Sequence, residues 1–129
     1  MSDAPGPLSP HLQIYRWQVT SVLSILHRGS GLALAAAAPL YVIWLVGVAL
    51  GDGSFRLVQS VYGSPPGQAV LAGCVLAGAY HLLNGLRHLL WDAGVGFGRA
   101  AVVRGGIAIA VGSVALTLLA LVLTWLANG

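Results

Sequence analysis

The sequence has no lysine and few charges of either sign, because six arginines and three aspartates are the only charged residues among its 129. Charged residues make up 7% of the chain, whereas a soluble domain has about 25%. So few charges cannot cover the surface of a globule of this size, and 57% of the residues are hydrophobic. The composition therefore predicts a membrane protein and excludes an ordinary soluble domain.

Cysteine is also nearly absent, since Cys74 is the only one. A single cysteine excludes an internal disulfide and any iron–sulfur or zinc site that several cysteines would build. We interpret Cys74, which lies inside an apolar segment, as a small packing residue. The net charge of +3 comes from scattered arginines without a basic stripe or interleaved aromatic residues, so no nucleic-acid partner is predicted.

The first residues lack the features of a targeting segment. A secretory signal needs a basic start and an apolar stretch, and a transit peptide is rich in arginine, whereas residues 1–7 are rich in proline and contain no basic residue. The initiating methionine favours a bacterial protein of the inner (cytoplasmic) membrane over a mitochondrial inner-membrane protein whose presequence has been removed.

Three long stretches contain no charged residue: 29–50, 67–86 and 105–128. Each reaches the length of about 20 residues that a helix needs to cross a bilayer. No alternating pattern typical of a membrane β-barrel competes with them, and the 18 glycines suit close helix packing in lipid. The predicted fold class is therefore all-α, an integral membrane bundle of three transmembrane helices.

The predicted organisation follows from these spans and from the turn residues between them. It comprises a polar, proline-rich arm at 1–16, helix I at 17–50, an outer loop at 51–65, helix II at 66–92, an inner connection at 93–102 and helix III at 103–127. The loop is predicted from the glycines and serine at 51–54 and from the serine and prolines at 64–66, which are typical of turns. Pro39 is expected to kink helix I.

The arginines indicate the orientation of the bundle. Most of them lie on the arm, near the start of helix I, at the end of helix II and on the second connection: Arg16, Arg28, Arg87, Arg99 and Arg104. The predicted outer loop has only Arg56, and the C-terminal end has none. Because loops rich in arginine stay in the cytoplasm, the N-terminus is predicted inside and the C-terminus outside.

An ionisable side chain at membrane depth is costly and is read first as a functional site. His81 lies within the second apolar stretch, and His88 follows seven residues later. Since a helix advances about 100° and about 1.5 Å per residue, the two imidazoles share a face and lie about 10 Å apart along the axis. An imidazole in the apolar zone, with a second imidazole and Arg87 near the membrane edge, is the arrangement that a membrane-embedded haem needs.

Other roles for these residues stay open at this point. A buried histidine could hydrogen-bond a neighbouring helix, and His88 and Arg87 could be ordinary interfacial residues. Asp92 lies at a helix C-terminus, where the helix dipole disfavours an anion, so we expect it to pair with an arginine. The candidates are Arg87, Arg16 and Arg99. The chain offers one deep histidine and no nucleotide motif, so a second haem ligand and the electrons would come from partner subunits.

A second polar group lies near the start of helix I, in the segment that contains Ser21, Ser24, His27, Arg28 and Ser30. Ser24 and Arg28 are four residues apart and share a helix face. A hydroxyl and a guanidinium at the membrane edge can donate hydrogen bonds to a quinone carbonyl and stabilise the anion formed on its reduction. The alternative is an arginine that reaches lipid phosphates and serines that bond to backbone carbonyls.

Two spaced motifs extend over nearly the whole chain. The first consists of Pro7-Leu8, Ser24, His27-Arg28 and Ser30. The second consists of His81, Gly85-Leu86-Arg87-His88-Leu89, Trp91-Asp92 and Gly94. With the three spans, they resemble the large cytochrome b membrane-anchor subunit of succinate dehydrogenase, respiratory complex II. Gly6 stands where that family usually has an arginine, and residues 9–16 look like the alphaproteobacterial and mitochondrial branch.

The resemblance implies a role for several of these residues. His81 would be one axial ligand of haem b and so bind its iron, and the small anchor subunit of the complex would supply the other ligand and complete the helix bundle. His27, Arg28 and His88 would approach the haem propionates. Ser24 and Arg28 would line a ubiquinone site that the iron–sulfur subunit and the small anchor subunit complete, with Asp92 near it.

The chain would carry no catalytic residue for succinate oxidation. The resemblance implies that a flavoprotein subunit oxidises succinate and that electrons pass through iron–sulfur clusters to ubiquinone, while this chain anchors the soluble subunits in the lipid membrane. Two alternatives stay open, namely the anchor of a quinol–fumarate reductase and a structural membrane anchor without haem. A transporter is disfavoured, because three spans without repeats or paired broken helices are few for one.

Overall fold

The structure, a computed structural model, describes residues 16–128, so the predicted arm at 1–16 lies outside this range apart from its last residue. Four α-helices follow one another along the chain: α1 (Val19–Ala49), α2 (Asp52–Tyr62), α3 (Pro65–Asp92) and α4 (Arg99–Asn128). No strand occurs among the described residues, which confirms the all-α prediction. Helices α1, α3 and α4 are long and apolar enough to cross a membrane, as the three predicted spans required.

The long helices begin and end within two residues of the predicted limits, except at the start of α4. This helix begins at Arg99, so the inner connection predicted at 93–102 is shorter and ends at residue 98. Gly94 and Gly96 make the turn with φ values of 81° and 89°, in a region that glycine enters without steric cost. Residues 99–102 contain no glycine or proline to stop the helix, and the prediction did not allow for this.

The segment 51–65, predicted as an outer loop, contains the 11-residue helix α2. Its turn residues are helix boundaries, since Gly51, with φ 93°, precedes α2 and Gly63 follows it. Ser64 caps α3 by accepting a hydrogen bond at Oγ from the Gly67 amide at 3.3 Å, and prolines occupy the first turn of α3. The loop prediction was wrong because the residues that form turns are also those that delimit helices.

Helix α2 packs one face on α1 and leaves another face open. The Tyr62 hydroxyl donates to the Leu40 carbonyl at 2.6 Å. A Cβ atom at Gly47 would lie 3.0 Å from Val58 Cγ2, so this glycine lets the two helices approach closely. Two apolar side chains on α2 remain exposed: Leu57 and Val61. A short helix with separate polar and apolar faces suits a membrane interface.

Helix α3 is central, because it contacts both α1 and α4 more extensively than these contact each other. The Tyr80 hydroxyl of α3 donates to the Leu23 carbonyl of α1 at 3.1 Å. Small residues let the helices approach, since Leu23 packs directly on Gly106 of α4 and a Cβ atom at Gly112 would lie 3.2 Å from Leu83. Close approach at small residues is how helices associate in lipid, where no hydrophobic force draws them together.

The polarity of the bundle is inverted relative to a soluble protein. Most large apolar side chains of the long helices are exposed, whereas Ser113 and Thr117 are buried within α4. Their hydroxyls donate to the carbonyls of Ala110 and Ser113 at 2.9 and 2.8 Å, so neither is left unsatisfied. This distribution is the one expected of helices whose outer neighbours are lipid or another apolar chain.

Candidate functional site

Three histidines from α1 and α3 form a contiguous cluster of rings. The ring centroids of His27 and His81 are 4.2 Å apart with an interplanar angle of 17°, so the two imidazoles stack. The His88 ring lies 5.2 Å from that of His27 and is tilted by 37°. The structure therefore brings together the three histidines predicted as site residues, although they come from two helices. Within residues 16–128, no group of three or more His, Cys, Asp or Glu residues could hold a metal ion.

The imidazole of His81 is held through one nitrogen. Its Nδ1 lies 3.1 Å from Ser30 Oγ and 3.3 Å from the His27 carbonyl oxygen. The Ser30 hydroxyl also donates to that carbonyl, at 2.7 Å, so His81 Nδ1 of α3 forms a closed triangle with two oxygen atoms from one turn of α1. No hydrogen bond to Nε2 occurs in the described part of the chain, and this nitrogen is available to bind another group.

The space around His81 is closed towards α1, whereas the space beside Gly85 on its own helix is open. A Cβ atom at Gly31 of α1 would lie 2.9 Å from His81 Cε1, so only glycine admits the ring in this position. Gly85 lies four residues after His81 on the same face of α3, and a Cβ atom there would meet nothing within 4 Å. The space beside Gly85 is thus open, and the His81 imidazole itself is half-buried.

A buried nitrogen in the cluster lacks a partner. His27 Nδ1 is enclosed and makes no hydrogen bond within the described residues. An unsatisfied buried polar atom costs about 1–3 kcal/mol, so the site favours a ligand with a polar group that can reach it. His88 is exposed at the rim, where its ring contacts Trp91 edge-on with the centroids 5.1 Å apart.

Ser24 and Arg28 lie side by side on the exposed face of α1, one turn from the histidine cluster. Arg28 Nε donates to the Ser24 carbonyl at 3.4 Å, and Nη2 lies 3.5 Å from Ser24 Oγ. These are long hydrogen bonds, so the guanidinium keeps most of its donors for another partner. The juxtaposition expected from their spacing is therefore present, and it offers a hydroxyl and a cation to a ligand at this end of the bundle.

Arg87 does not join the histidine cluster, contrary to the prediction from the sequence. The side chain is buried and turns towards α4, where Nη2 donates to the Val102 carbonyl at 2.7 Å. The guanidinium carbon also lies 4.2 Å from the centre of the Trp91 ring, in a cation–π contact. The physical reason is helix geometry, since Arg87 is only one residue from His88 and points about 100° away from it.

Asp92 is the last residue of α3 and is exposed. The expectation that it pairs with Arg87, Arg16 or Arg99 is wrong for the described part of the chain, where no ion pair of Asp92 is found. Arg87 is engaged with the Val102 carbonyl and Trp91 instead. At a solvated helix end the carboxylate keeps its water, and water offsets the unfavourable helix dipole without an arginine.

The structure adds site residues that were not predicted from the sequence. Gly31 lets the His81 ring lie close to α1, and Gly85 leaves an open space one turn further along α3. Asn84 is 2% exposed, and its Oδ1 makes no hydrogen bond among the described residues. A polar amide inside an apolar span is the signal that could have identified Asn84 from the sequence. Gly85 belongs to the second sequence motif, but no comparable signal distinguishes Gly31 among the 18 glycines.

Comparison with protein families gives a match over most of the chain. The family model described as succinate dehydrogenase/fumarate reductase transmembrane subunit matches residues 2–121. This range includes both candidate groups, namely the histidine cluster and the Ser24–Arg28 pair.

Curated proteins similar to this chain include bacterial and mitochondrial cytochrome b subunits. The succinate dehydrogenase cytochrome b556 subunit of Paracoccus denitrificans is 46% identical over 90 residues, which cover 70% of this chain and 69% of that protein. The subunit of the same name from Rickettsia prowazekii is 40% identical over 100 residues, 74% of each chain. The mitochondrial succinate dehydrogenase cytochrome b560 subunit of Sus scrofa is 38% identical over 106 residues, 78% of this chain and 61% of that protein.

Proposed function

The chain belongs to the family of succinate dehydrogenase/fumarate reductase transmembrane subunits, and from this premise we propose that it is the haem b-containing membrane anchor of a succinate:ubiquinone oxidoreductase. The observation that carries the proposal is the cluster of His27, His81 and His88 beside the Ser24–Arg28 pair at one end of three membrane-spanning helices. A purely structural anchor would not need this cluster.

His81 is the residue proposed to bind the haem iron, through Nε2. Its other nitrogen is engaged by Ser30 and the His27 carbonyl, as is usual for a metal-binding imidazole. The space beside Gly85, one turn further along α3, is open. When bound, haem b supplies a one-electron carrier within the membrane. A small second anchor subunit would complete the bundle and supply the opposite iron ligand.

The haem propionates are proposed to lie against His27, Arg28 and His88. The enclosed and unpartnered Nδ1 of His27 fits a carboxylate at this position. Arg28 and His88 are exposed near the same end of the bundle, where they can neutralise the two negative charges at the membrane edge.

Ser24 and Arg28 are proposed to line the site at which ubiquinone is reduced. Arg28 holds most of its donors free, and Ser24 presents a hydroxyl next to it. Both can donate to a quinone carbonyl, and the guanidinium stabilises the negative charge that develops on the oxygen during reduction. Asp92, at the same end of the bundle, is the candidate group for delivering a proton to the reduced quinone.

The remaining chemistry is assigned to partner subunits. A flavoprotein subunit would oxidise succinate, and an iron–sulfur subunit would carry the electrons to the quinone site and complete it. This chain would hold both at the bacterial inner membrane without a catalytic residue of its own for succinate. The family description also covers fumarate reductases, so a quinol–fumarate reductase anchor is the second candidate. Measuring whether the complex turns over succinate with ubiquinone faster than quinol with fumarate distinguishes the two candidates.

The test is a reduced-minus-oxidised optical spectrum of the purified complex, recorded for the wild type, His81→Ala and His88→Ala. The wild type should show a b-type haem signal, with flavin and iron–sulfur subunits co-purifying. His81→Ala should lose the signal because it removes the proposed iron ligand. His88→Ala should keep the haem with an altered potential because it removes only a rim group. A wild-type complex without haem would refute the haem assignment and leave a haem-free anchor.

A further inference from the structure

We infer that Ser30 is a positioning residue that fixes the imidazole of His81 in the tautomer protonated at Nδ1, leaving the Nε2 lone pair to bind iron. The inference rests on the proposed function of His81 and assigns to Ser30 a role separate from the quinone-binding pair. Although Ser30 belongs to the same segment as Ser24 and Arg28, its hydroxyl faces α3.

Two oxygen atoms surround His81 Nδ1. Ser30 Oγ lies 3.1 Å from this nitrogen, and the His27 carbonyl oxygen lies 3.3 Å from it. A carbonyl oxygen can only accept a hydrogen bond. If Nδ1 carried no proton, its lone pair would face the carbonyl lone pairs across a partly buried contact. A proton on Nδ1 removes this repulsion.

The single proton of the Ser30 hydroxyl is used in a hydrogen bond to the His27 carbonyl. Ser30 Oγ is 2.7 Å from the His27 carbonyl, a distance typical of an O–H donor to a carbonyl oxygen. With its proton used there, Ser30 has only lone pairs to offer to His81. Both oxygen atoms near Nδ1 therefore act as acceptors, and the neutral imidazole must carry its proton on Nδ1.

The position of the His81 ring is fixed by Gly31 as well as by Ser30. Gly31, the next residue of α1, approaches His81 so closely that a Cβ atom there would lie 2.9 Å from Cε1. Ser30 and Gly31 thus act on adjacent atoms of the imidazole, one by a hydrogen bond and the other by contact. The ring can neither flip nor slide without losing its partner, so Nδ1 stays at Ser30 and Nε2 stays free of it.

A consequence for the haem follows from general metal-site chemistry. A hydrogen bond from Nδ1 to an oxygen acceptor makes a metal-binding imidazole more basic, and a more basic ligand stabilises oxidised iron over reduced iron. Removing the Ser30 acceptor should therefore favour the reduced haem. The His27 carbonyl remains as a weaker acceptor at 3.3 Å, so the haem should be retained.

The experiment is a redox titration of the haem in the purified complex, for the wild type, Ser30→Ala, Ser30→Cys and Ser30→Thr. At the wild-type midpoint potential, Ser30→Ala and Ser30→Cys should raise the ratio of reduced to oxidised haem by about two- to tenfold, the effect of one hydrogen bond. Ser30→Thr keeps an oxygen acceptor and should restore the wild-type ratio. Ser113→Ala is the matched control, since it removes a similar hydroxyl-to-carbonyl bond inside a span without touching a histidine.

Each outcome bears on the inference. A raised ratio of reduced to oxidised haem in Ser30→Ala or Ser30→Cys, together with a wild-type ratio in Ser30→Thr, supports the inference. If Ser30→Ala does not assemble, Ser30→Cys provides the same measurement. Wild-type ratios in the alanine and cysteine variants would overturn it while leaving His81 as the proposed ligand. The same shift in Ser113→Ala would also overturn it, because the effect would then be one of general packing. A wild-type complex without haem would overturn the proposed function and this inference together.

Discussion

At the scale of single residues, Arg28 and Arg87 show that the direction in which the side chain points decides the role of an arginine in a membrane helix. Arg87 is buried, donates Nη2 to the Val102 carbonyl and lies over the Trp91 ring, so it stabilises the contact between α3 and α4. Arg28 is exposed and holds only long contacts to Ser24. An exposed arginine at a membrane edge can bind an anionic ligand, whereas one enclosed between two helices is hardly accessible to it.

Replacing Arg28 with alanine is expected to lower ubiquinone reduction by about 10- to 100-fold, the effect of one charged hydrogen bond of about 1.5–3 kcal/mol. Ser24→Ala should lower it by about two- to tenfold, because a neutral hydrogen bond contributes less. The measurement is succinate-dependent ubiquinone turnover of the purified complex, divided by its activity with a soluble artificial acceptor. This ratio separates the quinone site from assembly of the soluble subunits.

Arg104→Ala provides the control for that prediction. Arg104 is exposed on α4 and donates Nε to the Ala100 carbonyl at 3.3 Å, much as Arg28 donates to Ser24. Its loss should leave the ratio of the two activities unchanged. If Arg28→Ala and Ser24→Ala both kept normal quinone kinetics, the pair would not form the quinone site.

At the scale of helices, the contact between α1 and α3 depends on a glycine opposite a histidine. Gly31→Ala is expected to destabilise the site, since the added Cβ atom would lie 2.9 Å from His81 Cε1 and must displace the ring. Overpacking of this kind costs about 1–3 kcal/mol. The measurement is the temperature at which the purified complex loses its haem absorbance, which should fall in Gly31→Ala.

Gly29→Ala is the matched control on the same helix. A Cβ atom at Gly29 would meet nothing within 4 Å, and alanine favours a helix over glycine by about 1 kcal/mol. This variant should therefore lose haem at the wild-type temperature or slightly above it. If the temperature of haem loss fell equally in both variants, the α1–α3 contact would not depend on the approach of Gly31 to His81.

The helices also show how much of the fold the sequence could predict. The length of the apolar stretches alone predicted all three spans, because about twenty consecutive uncharged residues have few other stable arrangements. Helix α2 was not predicted, since Gly51 and Ser64 look like loop residues until the structure shows them at helix ends. The shared face of His81 and His88 followed from helix periodicity. The stacking of His27 on His81 could not be predicted, because it depends on the register between two helices.

At the scale of the whole molecule, most arginines and the histidine cluster lie at one end of the bundle. Helices α1 and α3 run antiparallel, as successive contacts between them show: His27 with His88, Gly31 with His81, and Leu34 with Gly78. The start of α1 therefore lies beside the end of α3 and the start of α4, and this end carries five of the six arginines. The proposed haem and quinone residues lie at the same end. An iron–sulfur subunit docked there would be close to the quinone site.

The sidedness of this end is testable with the single native cysteine removed. In a Cys74→Ala background, Ser60→Cys places a thiol on exposed α2 and Gly98→Cys places one on the exposed inner connection. Because the arginine-rich end should stay in the cytoplasm, a membrane-impermeant maleimide should label Ser60→Cys in spheroplasts and Gly98→Cys only in inverted vesicles. The reverse pattern would put the histidine cluster and Arg28 on the outer side. A quinone site there could not be completed by a cytoplasmic iron–sulfur subunit, so the labelling tests the assembly as well as the orientation.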